Sequence, residues 1–136
     1  MATFYNQATL SFGGNVVNSN TTEAELLSGL ELTKTAVNAS YSAGGSVVFA
    51  VTLRNMGASP YNALTLTDNL GAYAVGTTNV VPLDYVAGSV LYYVNGVAQT
   101  PPTVSAVGGL EFSGIDVPAG GTVTLIYQTV ANGFAP

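Results

Sequence analysis

Apolar and polar residues alternate along most of this chain and divide it into short strands. Phe4, Ala8, Leu10 and Phe12 share one parity, and Tyr5, Gln7, Thr9 and Ser11 the other. That period of two predicts a half-buried strand. Gly13-Gly14 permits the positive φ of a tight reversal, and Asn15 to Thr22 forms a weaker, polar return strand. Glu23 to Ser28 has some helical character and is expected to be a connector, with Gly29 as its hinge. Leu30 to Thr35 is the next strand, followed by a turn at Ala43-Gly44-Gly45. Ser46 to Asn55 carries Val47, Phe49, Val51 and Leu53 on one face and Val48, Ala50 and Thr52 on the other. Tyr61 to Thr67 directs Leu64 and Leu66 inward and ends at Asp68-Asn69.

Residues 70 to 83 show no regular pattern. Asp84 to Tyr93 is predicted as one strand, and Asn95-Gly96 is a type I′ hairpin signal before the return strand Val97 to Gln99. Pro101-Pro102 interrupts the ladder. Leu110 to Phe112 is a short strand, and Thr122 to Ala131 a long one with Val123, Leu125 and Tyr127 inward. About nine strands with turns roughly every ten residues favour an antiparallel β-sandwich of two sheets with Greek-key connections. No helical period alternates with the strands, which excludes a parallel α/β fold.

Composition sharpens this picture. The chain has 136 residues, enough for one domain with a true core. It is 48% hydrophobic but only 7% charged, so Thr, Ser, Asn and Gly must supply most of the polar surface. Lys34 and Arg54 are its only bases, against a net charge of -5. Phosphate neutralisation needs clustered cations, so no nucleic-acid partner is expected. No apolar run reaches the roughly 18 residues of a membrane span. The start, Met1 to Tyr5, has no basic or apolar leader pattern, so a signal was removed or export follows another route. His and Cys are absent, which removes the usual general base and thiol nucleophile. No G-x-S-x-G elbow stands in their place. Asp68, Asn69 and Asp84 lack the spacing of a calcium loop. No catalytic residues, metal or cofactor are therefore expected.

A resemblance extends over roughly residues 30 to 131. Lys34-Thr35, AGGSVVFAVTLRNMG, LTLTDNL, DYVAGSVLYYVNG and IDVPAGGTVTLIYQTV follow one another as in the bacterial surface-protein repeat called domain of unknown function eleven. The resemblance implies an immunoglobulin-like module of a secreted, wall-associated or fibrous protein. Such repeats normally close with an N-x-A-T-V hairpin and then S-N. Here that motif matches Asn6-Gln7-Ala8-Thr9-Leu10 and Ser19-Asn20, ahead of the domain, and no closing hairpin follows Ala131.

A sandwich without its last strands leaves unpaired backbone and an apolar groove that a neighbour's strand can fill. The expected organisation is a donor hairpin and connector over 1–28 and a sandwich over 29–136. The donor is Thr3 to Phe12, anchored by Phe4, Ala8, Leu10 and Phe12. The expected acceptor is formed by the strands around Val47, Phe49 and Val51 and around Val123, Leu125 and Tyr127. Donor and acceptor are different surfaces, so the contact runs head to tail and propagates. The expected function is a structural subunit of a pilus, spore appendage or surface fibre. Its partners are further copies of itself, with host or environmental surfaces in contact with the finished appendage. The alternative is a monomeric adhesin or carbohydrate-binding module that closes its own sandwich and offers a face of Tyr61, Tyr73, Tyr85, Tyr92 and Tyr93. Related surface modules also carry intramolecular isopeptide bonds. Lys34 with Asp68 or Asn132 would supply such a bond, and Glu111 or Asp116 the proton-carrying acid. The competing role for Lys34 is a surface pair with an acid such as Glu31.

Overall fold

A computed structural model describes residues 8–18, 29–38 and 40–136, and every regular element among them is a β-strand. In chain order the strands are β1 (Ala8–Phe12), β2 (Asn15–Asn18), β3 (Leu30–Ala36), β4 (Ser46–Asn55), β5 (Tyr61–Asp68), β6 (Tyr73–Val75) and β7 (Thr78–Val80). They continue as β8 (Leu83–Tyr85), β9 (Leu91–Val94), β10 (Val97–Gln99), β11 (Thr103–Ser105), β12 (Leu110–Val117) and β13 (Thr122–Ala131). One sheet has the order β11-β12-β5-β1-β2, and the other β10-β9-β13-β4-β3 with β8 also on β13. All pairings are antiparallel. The expected immunoglobulin-like antiparallel sandwich is therefore the fold. Phe4 and the stretch read as a connector, residues 23–28, lie outside the described residues.

The core follows the parity of the sequence. Val47, Phe49, Val51 and Leu53 of β4 face Leu64 and Leu66 of β5 and Leu110 and Phe112 of β12 within one buried cluster. Leu10 of β1 is fully buried in the same cluster. Removing a side chain of that size from water contributes about 1.5–3 kcal/mol.

The structure corrects the expected acceptor edges. β4 lies between β3 and β13, and β13 lies between β4 and the pair β8 and β9, so neither has a free edge. β1 pairs instead with β5, in the register Ala8↔Asp68, Thr9↔Thr67, Leu10↔Leu66 and Ser11↔Thr65. Val47, Phe49, Val51, Val123, Leu125 and Tyr127 belong to the facing sheet and meet the hairpin only through the shared core.

Three local differences have plain causes. Residues 73–80 form the hairpin β6–β7 around Gly76, outside both sandwich sheets. The single strand expected over 84–93 is broken by a turn at Ala87-Gly88, with Ser89 N–H donating to Val86 O. β12 runs on to Val117 because register shifts at Ser113/Ile115 and Ile115/Val117 keep Phe112, Ile115 and Val117 all inward. A bulge inserts a residue and breaks strict alternation, so a period of two cannot find it.

Candidate functional site

Three inward faces carry a polar residue towards the same end of the sandwich. On β3, Lys34 follows Leu30 and Leu32 in phase. On β5, Asp68 follows Leu64 and Leu66. On β13, Tyr127 follows Val123 and Leu125. The pleat sends every second side chain to the same face, so each chemical group is carried into the inter-sheet space.

There the three converge. Lys34 Nζ lies 2.6 Å from Asp68 Oδ2, with the two side chains only 5% and 1% exposed. Tyr127 donates its hydroxyl to the same Asp68 oxygen. Leu70 N–H donates to Asp68 Oδ1 at 2.9 Å, which holds the turn after β5 and places Leu70 at a φ of 55°. Lys34 Nζ also sits 4.2 Å from the centre of the Phe49 ring, within cation–π range. Tyr127 packs between Phe49 and Phe112, at ring-centre distances of 5.9 and 5.2 Å. Burial, with the Asp68 carboxylate beside it, pushes the Tyr127 hydroxyl well above its usual range, so it keeps its proton. Gly109 leaves room beside this turn: at φ 135°, a Cβ there would approach Asp68 O to 3.2 Å.

The pair joins the edge strand of one sheet to the centre of the other. It also lies where the N-terminal hairpin starts, because Ala8 is opposite Asp68. The expected surface pairing of Lys34 with Glu31 is thus replaced by a buried one. Asn132 is not at this site: it donates to Val81 O and Asp84 Oδ1 at 2.9 and 3.0 Å. Neither expected acid accompanies the pair. Glu111 is exposed, and Asp116 accepts Ala63 N–H at 2.8 Å. Lys34 and Asp68 face each other as ammonium and carboxylate, and Tyr127 is the further donor to the same oxygen.

Next to the pair the sandwich opens into an apolar groove of about 720 Å³, lined among others by Lys34, Tyr41, Phe49, Tyr73, Pro82 and Pro136. The C-terminal residues run along it. Tyr73 donates its hydroxyl to Phe134 O at 2.5 Å, and Tyr41 donates to Pro136 O. Sequence reasoning missed this groove, whose walls come from β3, β4, β6, β8, the C-terminal residues and, after β3, Asn38, Ser40 and Tyr41. Of the tyrosines considered for a shared face, Tyr73 lines the groove. Tyr61, Tyr85 and Tyr92 pack against the core. Among the described residues, no cluster of three or more acidic side chains could hold a metal, and no helix is long and apolar enough to cross a membrane.

No family model and no curated protein matches this chain in sequence. Its fold is similar to that of the pilus backbone protein RrgB of Streptococcus pneumoniae, with a TM-score of 0.53 at 17% identity. The similarity covers 98% of this chain and 48% of that one, so the chain spans about half the length of the pilus protein.

Replacing Lys34 by Met leaves the Asp68 carboxylate buried without its counter-charge. Denaturant unfolding should show a loss of about 3–5 kcal/mol, and replacing both residues by apolar ones should recover much of it. Tyr127 is held neutral in the folded state but ionises freely when unfolded. Its contribution is therefore complete below about pH 10 and is lost progressively above it. Unfolding midpoints across pH 9–11 should fall less steeply for Tyr127→Phe than for the parent chain. Intact-mass spectrometry should give the full mass of the sequence, whereas a deficit of one water would mean that Lys34 and Asp68 have condensed.

Proposed function

We propose that this chain is a structural subunit of an extracellular filament, a pilus or another surface fibre. In this reading the chain belongs to the surface-repeat family that its sequence resembles. Its copies assemble head to tail by exchanging the β1–β2 hairpin, and it works by binding, without catalysis. The observation that carries this reading is the way the hairpin joins its sheet: among the described residues, β1 pairs with β5 and β2, and β2 pairs with β1 alone. All of those contacts are reproduced if the hairpin comes from another copy. Residues 19–28 link it to β3, and ten residues can reach at most about 35 Å when extended. That suffices either to return along the same sandwich or to cross to a neighbour.

The likeness to a pilus backbone protein supports the fold as suitable for fibres. The low charge supports close packing of like subunits, since little repulsion opposes it. A second reading has one observation in its favour. The hairpin here closes the sandwich of its own chain, as a monomeric adhesin or carbohydrate-binding module would require.

Negative-stain microscopy of the full chain beside a variant lacking residues 1–21 separates the two. The expected outcome is fibres from the full chain and none from the truncated one, whose monomers should bind an added peptide of residues 1–21. Monodisperse particles from the full chain at all concentrations would overturn exchange, and a glycan array would then be the next measurement.

A further inference from the structure

The groove beside Lys34 lies where the docked hairpin begins. β1 is antiparallel to β5, and Ala8 is opposite Asp68, the last residue of β5. A strand continued in this register beyond Ala8 would run past the end of β5 towards the residues that follow it, of which Gly71 and Tyr73 line the groove. Asp68 itself holds Lys34, another lining residue.

We propose that this groove receives residues 1–7 of the neighbouring copy whose β1 lies on β5, with Phe4 as the anchor. The proposal rests on the hairpin exchange described above and extends the interface beyond the β1–β5 ladder. Phe4 has the same parity as the buried Ala8 and Leu10, so continuing the strand assigns it to the inward register. Four residues of strand cover about 13 Å, which carries Phe4 past the end of β5. Residues 1–7 contain two aromatic residues and no charged side chain. The groove suits such a segment: Phe49 and Val47 form an apolar floor, and Asp68 already neutralises the charge of Lys34. A sugar would need several directed polar groups. The hydroxyls of Tyr41 and Tyr73 are already directed to Pro136 O and Phe134 O.

The chain has no cysteine, so single cysteines report cleanly. One batch carries Thr3→Cys and the other Ala36→Cys, a small residue in the groove wall. The batches are mixed, allowed to assemble, and treated with a short bismaleimide. A parallel mixture of Thr9→Cys with Thr67→Cys reads the β1–β5 pairing itself. The expected result is a covalent heterodimer in both mixtures. Phe4→Ala should also raise the concentration needed for assembly about tenfold, as expected for losing one buried aromatic side chain. Heterodimers in the Thr9/Thr67 mixture but not in the Thr3/Ala36 mixture would overturn the groove proposal while leaving exchange intact. No heterodimer in either mixture would overturn both.

Discussion

A carboxylate that is 1% exposed between two sheets has to be met by donors from both sides, and Asp68 is. Its own turn supplies Leu70 N–H, the edge strand β3 supplies Lys34, and the central strand β13 supplies Tyr127. Each donor comes from a different part of the chain, so satisfying this one group fixes the relative position of β3, β5 and β13. The cost of leaving such a group unmet exceeds what most apolar contacts contribute singly. The register of the sandwich at this end is therefore set by polar chemistry, with apolar packing following it.

The other end is held differently. Asn55 is buried in phase with Leu53 at the far end of β4. Its amide donates to Ser59 O and Pro118 O at 2.8 and 3.1 Å, while its carbonyl accepts Gly57 N–H at 2.9 Å. These are neutral hydrogen bonds between one side chain and local loops, and they close that end. At the Asp68 end the polar group joins the two sheets, and beside it the described tail near Pro136 runs along an open groove. The two ends of one sandwich thus differ in kind, which is what a head-to-tail contact requires of its building block.

Much of this was legible in the residues. The alternation in Ser46 to Asn55 and in Thr122 to Ala131 gave the correct inward faces, and Gly13-Gly14 and Asn95-Gly96 lie at the hairpin turns β1–β2 and β9–β10. Lys34 stands out in the residues, with Asp68 and Asn132 as its candidate partners. The parity of LELTK already places the lysine with Leu30 and Leu32, which is the signal that its pairing would be buried. Alternation places Tyr127 inward beside Val123 and Leu125 and says nothing of its hydroxyl, because a phenol reveals its hydrogen-bond partner only once the facing sheet is known. Period two identifies faces but carries no information on edges, so β5 could not be distinguished from β4 or β13 as the acceptor. The bulges in β12 and the turn at Ala87-Gly88 are departures from alternation and were invisible to it.

The hairpin's register has a mechanical consequence. Asn18, where the hairpin leaves the sheet, lies opposite Thr9 and so near the Asp68 end. Leu30, where the chain re-enters at β3, lies opposite Asn55 at the far end. In a fibre built by exchange, tension enters an acceptor through the hairpin of one neighbour at one end. It leaves through the acceptor's own β3 at the other. The line of force then runs parallel to the strands, and the β1–β5 ladder is loaded in shear, with its hydrogen bonds sharing the pull together. A hairpin pulled from its turn would instead peel open one bond at a time.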